Sequence, residues 1–271
     1  MINWILQKNL TRPETLERIK SVLNGKDEIW EEVEVIPFST EIPEIKNKGS
    51  FKIIYGSTTF MLNAFKDPEL RKGVFFEPAK FQMRNYVDKW KEKVLNSDGQ
   101  LLRFDEIGNL ESEQTKEWFI RPNNDGKEFS GRVETFEELK NWSKRICQLE
   151  LPELNRDTEI WISEPKQIKK EWRLFIVDNH IVSASRYMKE GELDESNDDI
   201  PKKMLEFAKA RISEYRIEDV YVMDIAQIGN GYKLIECNCF NGTGFYMHDI
   251  ENIIQSINKL IRKKIEKETC G

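Results

Sequence analysis

Cysteine and histidine are scarce in this 271-residue chain. It has four cysteines, Cys147, Cys237, Cys239 and Cys270, and two histidines, His180 and His248. The cysteine spacing fits neither a zinc site nor a disulfide framework. Free thiols in a reducing compartment are expected, with Cys237 and Cys239 on one strand face. No stretch approaches the ~20 apolar residues of a membrane span, and the start, MINWILQKNL, is too short and too quickly charged for a signal peptide. The expected location is the cytoplasm, with no membrane partner. Neither a Walker A pattern nor GxGxxG occurs, so the two commonest phosphate-loop folds lose support. A basic excess is missing too. The net charge of −6 argues against a general nucleic-acid binder.

What is there describes a globular, rather polar chain, 39% hydrophobic and 33% charged, long enough for a sizeable core. No internal repeat or low-complexity linker breaks it. Three stretches stand out, with boundaries set at 1–75, 76–163 and 164–271. In the first, WILQ, EEVEVIPF and FKIIYGS read as strands, and Thr11 with Glu14 forms a capping box opening a helix to about Asn24. That is a small α/β unit with parallel strands, whose last strand ends at Gly56-Ser57 in a turn or a ligand-binding loop. The second holds helices over 80–95 and from Thr135 onward, capped by Glu138, around the strand EWFIRP and a polar loop. The third is strand-rich, with helices over 199–215 and 249–268. Its acidic stretch 190–199 reads as a mobile loop. Lys263, Lys264 and Lys267 read as a solvated helix end that suits the macrodipole.

Two hairpins carry the polar residues that need explaining. YVMDIAQ and YKLIECN flank Gly229-Asn230-Gly231. A three-residue loop, with Gly231 at the left-handed position, sets Asp224 opposite Glu236 and puts Asn238 on the same face. Two carboxylates that close repel unless one is protonated or a cation sits between them. Carboxylates with an amide oxygen, and no thiolate or imidazole, suit Mg2+ or Mn2+ with the remaining ligands from water and phosphate. A pair of acids on an exposed face is equally compatible, and a two-residue loop would put the acids on opposite faces. The second hairpin is EWRLFIVDNHIVSASRY, with Asp178-Asn179 as its turn. Arg186 then faces Glu171, and Arg173 lies diagonally on the same face. Two guanidiniums there suit an anion; a plain Glu171–Arg186 cross-strand pair explains this hairpin as simply.

The order FIRPNNDGKEFSG, WISEP, EWRLFIVDNHIVSASRY, VMDIAQIGNGYKLIECN resembles the ATP-grasp superfamily, and within it the clade named for two arginines and a lysine. The resemblance covers about residues 115–250 and extends loosely to the N-terminal unit. It implies two α+β halves clamping ATP, preceded by a small Rossmann-like pre-ATP-grasp unit. It also implies Arg121 and Lys127 on the ATP phosphates, with Arg121 standing where many relatives have lysine. Ile162 and Ser163 would offer backbone groups to adenine, with Glu164 near the ribose. Arg173 and Arg186 would be the catalytic arginines, and Asp224, Glu236 and Asn238 the magnesium ligands. Thr243 and Gly244 would close the substrate side. The family's usual chemistry is ligation: a carboxylate takes the γ-phosphate of ATP, and an amine displaces phosphate from the acyl phosphate. A kinase that phosphorylates a small molecule, and a non-catalytic nucleotide-binding protein, are the alternatives.

Overall fold

The computed structural model describes the whole chain except residues 10–12, 27, 38, 48–50, 127, 150, 152–153 and 271, and the side chains of 269 and 270. In chain order it begins with β1 (Ile2–Gln7), α1 (Pro13–Gly25), β2 (Ile29–Val33), β3 (Phe51–Tyr55) and α2 (Thr58–Lys66). Then come α3 (Met83–Trp90), β4 (Gln100–Arg103), β5 (Glu117–Pro122), β6 (Arg132–Thr135), α4 (Phe136–Leu149) and β7 (Glu159–Ser163). The remainder is β8 (Lys170–Val177), β9 (His180–Lys189), β10 (Glu192–Ser196), α5 (Lys202–Glu214), β11 (Val220–Ile228), β12 (Gly231–Cys239) and α6 (Ile250–Cys270). Among the described residues no helix is long and apolar enough to cross a membrane.

The chain divides into two compact units. One comprises Met1–Glu77, Lys170–Ile225 and Cys237–Gly271; the other comprises Pro78–Lys169 and Ala226–Glu236. In the first, β1–β3 form the expected parallel sheet in the order β2-β1-β3. Alternation along β1 and β3 sends Ile2, Trp4, Leu6, Ile53 and Tyr55 into a core completed by Ile253, Ile254, Ile257 and Ile261 of α6 and by Phe175, Val220 and Val222. Trp4 is fully buried and its indole N–H finds Asn258 Oδ1 at 3.0 Å, as a buried tryptophan requires. β3 ends by turning into a helix. Ser57 Oγ accepts the Phe60 N–H at 3.2 Å to cap α2, a helix in a stretch that reads from sequence only as a loop. The Thr11–Glu14 capping box lies outside the described residues.

The second unit is built on the antiparallel sheet β4-β7-β5-β6. The amphipathic α4 covers it, with Phe136, Leu139 and Ile146 packed on Ile120, Ile160 and Ile162. Its capping box is the expected one, Glu138 N–H to Thr135 Oγ1 and Thr135 N–H to Glu138 Oε2. The single helix expected over 80–95 is instead two pieces. A 3-10 turn at Pro78–Phe81 precedes α3, and Lys91, at φ +49°, ends it. Asn123, part of the polar loop after β5, starts α3 from outside. Its carbonyl accepts Met83 N–H at 2.7 Å, its side chain accepts Arg84 N–H at 3.1 Å, and its amide donates to Glu159 at 2.8 Å. Asn123 is buried, so Asn123→Ala is expected to lower the unfolding free energy by about 1–2 kcal/mol, read from a urea midpoint at unchanged slope.

The five-stranded sheet has the order β10-β9-β8-β11-β12. The acidic stretch 190–199 is not a loop. It turns at Glu190-Gly191, both at positive φ, and pairs β10 with β9 through Glu192–Lys189 and Leu193–Met188. Opposite charges across the ladder make a strand of a sequence whose composition hides one.

Candidate functional site

β8 and β9 turn at Asp178-Asn179, at φ +49° and +63°, the conformation that a two-residue hairpin turn demands of Asp and Asn. Near the turn Ile176 faces Ile181 as the turn dictates, but the register then shifts twice. One extra β9 residue enters between the Ile176–Ile181 and Phe175–Ser183 pairs, and another between Trp172–Arg186 and Glu171–Met188. Each extra residue reverses the faces beyond it. Arg186 therefore stands opposite Trp172, not Glu171, and Arg173 stands opposite Ser185. The two arginines expected on one face occupy opposite faces.

Their partners differ accordingly. Arg173 meets Asp224 of β11 through two parallel hydrogen bonds, Nε to Oδ1 at 2.9 Å and Nη2 to Oδ2 at 2.7 Å. Asn238 of β12 adds its amide N–H to Asp224 Oδ2 at 3.3 Å, so these two side chains share a face. The turn between their strands is the two residues Gly229-Asn230, with Gly229 rather than Gly231 at positive φ, and not the three-residue loop on which the expected Asp224–Glu236 pairing rested. Every residue of β11 from Val220 to Ala226 is buried, Asp224 included. A carboxylate there must be paired, and Arg173 is its partner. Burial alone would pull the guanidinium below its ordinary pKa; the Asp224 charge outweighs this and raises it.

Arg173 also lies 5.0 Å from the Tyr246 ring centre and 5.5 Å from that of Tyr187, and the two rings stack 5.0 Å apart at 8°. Tyr187 donates to Glu171 Oε2 at 2.6 Å. Burial first, then the Asp224 and Glu171 carboxylates, raise the Tyr187 phenol and keep it neutral. Beyond β12, Tyr55 donates to the Thr243 carbonyl at 2.9 Å, while Thr243 Oγ1 is buried with no partner among the described residues. Arg186 turns to β10 and its sequel. It pairs with Asp194 at 2.6 Å and with Asp199, which also accepts Lys170 at 2.8 Å. The aromatic pair and the Asp194–Asp199 anchor are not legible in the sequence, because alternation alone does not reveal the two bulges.

His248 sits beside this cluster, edge-on to Phe175 at 4.6 Å. Asp249 N–H donates to Ser183 Oγ at 3.1 Å, and Ser183 Oγ lies 2.9 Å from His248 Nδ1. Burial, then the Arg173 and Arg18 charges, push the imidazole down to about 3. It is neutral when folded, so stability from this residue is complete above about pH 6.5 and is lost as pH falls toward 3. Between about pH 7 and 5 the loss is about 2 kcal/mol, and His248→Asn is expected to flatten that part of a denaturation-versus-pH curve.

In the other unit, Arg121 of β5 stands opposite Trp161 and reaches Glu236 of β12, Nη2 to Oε2 2.6 Å. Its Nε donates to the Pro122 carbonyl at 3.2 Å. Ile162 occupies the sheet interior between Gln100 and Ile120. Ser163 ends β7 with its hydroxyl buried and no partner among the described residues. A side chain at Gly99 would meet the Ile162 carbonyl at 2.6 Å, so the chain passes this strand end closely. Glu164 is exposed and pairs with Lys116 at 3.0 Å, the lysine lying over Trp118. Lys127 lies outside the described residues. Among those residues no group of three or more His, Cys, Asp or Glu could hold a metal ion. Asp224 and Asn238 of one unit share a face, and Glu236 of the other is paired with Arg121; carboxylates and an amide oxygen are hard donors that suit Mg2+ or Mn2+ better than zinc.

A model of the ATP-grasp domain, family 3 of the clade named for two arginines and a lysine, matches residues 72–257. No curated protein matches the chain. Among solved structures, D-cycloserine synthetase DcsG is similar at 10% identity and TM-score 0.63, over 96% of this chain and 99% of that one. D-alanine–D-alanine ligase from Bacillus anthracis complexed with ATP is similar at 13% and 0.57, over 98% and 99%. The ATP-grasp ligase PsnB complexed with minimal precursor gives 11% and 0.54, over 90% and 91%. Identities this low show a shared fold, mixed α/β in each case. With more than half of its length matched by the family model, the chain belongs to the two-arginine, one-lysine clade of ATP-grasp domains.

Proposed function

We propose that the protein is an ATP-dependent carboxylate–amine ligase, working through an acyl phosphate with magnesium. The observation that carries this reading is the set of charged groups that β5, β8, β11 and β12 present. Arg173, Asp224 and Asn238 are held by hydrogen bonds in one unit, and Arg121 is ion-paired with Glu236 in the other, with no nucleophile and base pair among them. Phosphoryl transfer needs positioned charge more than a protein nucleophile.

In this reading Arg121 and Lys127 bind the ATP phosphates. The Ile162 and Ser163 backbone takes adenine, which would give the buried Ser163 hydroxyl a polar neighbour, and Glu164 lies toward the ribose. Asp224, Glu236 and Asn238 hold Mg2+, or Mn2+, which when bound neutralises charge on the phosphates. Arg173, stiffened by Asp224 and the tyrosine pair, stabilises charge on the transferring phosphoryl group. Arg186 serves the same end from the opposite face only if its Asp194 and Asp199 partners release it. Thr243 and Gly244 border the acceptor. A carboxylate oxygen bonds to the γ-phosphorus as the β–γ phosphoanhydride breaks and ADP leaves; the amine nitrogen then bonds to the acyl carbon as the acyl C–O bond breaks, and phosphate and the amine proton leave. The substrates are a carboxylate and an amine, each an amino acid, peptide or protein terminus.

The test is mass spectrometry on Mg-ATP incubations with pooled amino acids and short peptides. The expected result is a species lighter by one water than the sum of two pool members, formed with ADP. A species heavier by a phosphoryl group would mark a kinase instead.

A further inference from the structure

Two ion pairs, Arg173–Asp224 and Arg121–Glu236, differ in a way that separates their roles. Arg173–Asp224 is doubly hydrogen-bonded and shielded on both sides, with side-chain exposures of 12% and 2%. Such a pair is fixed. In Arg121–Glu236 the closest approach is Nη2 to Oε2 at 2.6 Å, and the arginine is as shielded, at 11%, but the carboxylate keeps 25% of its exposure, enough for a second cation to reach it. This pair can be exchanged.

The exchange bears on nucleotide binding, given the proposed function in which Arg121 binds phosphate and Glu236 binds magnesium. A metal-free phosphate approaching Arg121 meets a guanidinium whose Nη2 is already engaged and a carboxylate that repels it. When a divalent cation arrives with the nucleotide, it takes over the Glu236 charge, and the guanidinium turns to the phosphate. The carboxylate then acts as a ligand only in the metal-loaded state and as a competitor in its absence. Resting on that proposed function, we infer that Glu236, through its hold on Arg121, sets the protein's preference for metal-loaded over metal-free nucleotide. Glu236 is thus a specificity-determining residue as well as a candidate ligand. Removing its charge frees Arg121 for bare nucleotide, an effect opposite in sign to the simple loss of a metal ligand.

The experiment is calorimetric titration with ATP, once in excess EDTA and once in excess Mg2+, on wild type, Glu236→Gln, Glu236→Ala and Arg121→Met/Glu236→Gln. Glu236→Gln is expected to bind metal-free ATP about tenfold more tightly than wild type, the factor carried by about 1.4 kcal/mol. Mg-ATP affinity should not rise. Glu236→Ala removes the same charge and must give the same gain. The double variant must lose that gain, since it has no guanidinium to free. Wild type that binds Mg-ATP beside Glu236 variants with no gain for metal-free ATP would overturn the inference and leave the nucleotide reading standing. Wild type that binds ATP under neither condition would overturn both.

Discussion

Asp224→Ala is expected to lower the unfolding free energy by about 3–5 kcal/mol. The substitution does more than remove hydrogen bonds. It leaves the Arg173 guanidinium, 12% exposed, without the carboxylate that offsets its burial. An unpaired buried charge costs more than the pair contributes. That asymmetry supplies the control. Arg173→Met combined with Asp224→Leu removes both charges and fills the same space, so it should recover most of the loss. Urea denaturation of the two variants at one slope measures the difference. An Asp224→Ala protein as stable as wild type would mean that Arg173 finds another partner and that the pair is not what holds β8 to β11.

Glu236→Ala should weigh on function instead, costing less stability than Asp224→Ala and abolishing metal-dependent turnover. Glu236 keeps a quarter of its exposure but leaves behind a buried Arg121, 11% exposed, so the folding cost lies above that of a surface pair and below the Asp224 loss, at about 1–3 kcal/mol. The catalytic cost follows from the proposed role of Glu236 as a metal ligand. Losing one oriented charge at phosphoryl transfer lowers kcat by about 100-fold or more. Phosphate release from Mg-ATP, measured beside a thermal melt, separates the two effects. Turnover like wild type in a folded Glu236→Ala protein would sink the metal assignment.

How much of the fold and site is legible in the sequence differs from residue to residue. The parallel N-terminal sheet, α4 with its capping box and the Asp178-Asn179 turn follow from periodicity and turn chemistry, and the structure has them. Asp224 in an apolar strand announces that it needs a partner. It does not announce which one, because a partner on a neighbouring strand of distant sequence depends on register. Register is the weak point at both hairpins. A bulge adds one residue to one strand and leaves hydrophobic alternation almost intact, so alternation alone assigns Arg186 to the wrong face. β10 is hidden by the acidic residues Glu190, Glu192, Asp194 and Glu195, since solvated edge strands carry charge where interior ones carry Val and Ile. The Arg121–Glu236 pair joins β5 to β12, beyond the reach of any local pattern.

Ligation through an acyl phosphate is tested with hydroxylamine, which captures an activated acyl group without the natural amine. Protein, Mg-ATP, a pooled set of amino acids and short peptides, and hydroxylamine are incubated together, and hydroxamate and phosphate are both quantified. A ligase of this kind forms hydroxamate in proportion to phosphate, dependent on Mg2+ and absent in Glu236→Ala. Phosphate released with no hydroxamate from any carboxylate, or phosphate carried stably on a hydroxyl, would contradict it.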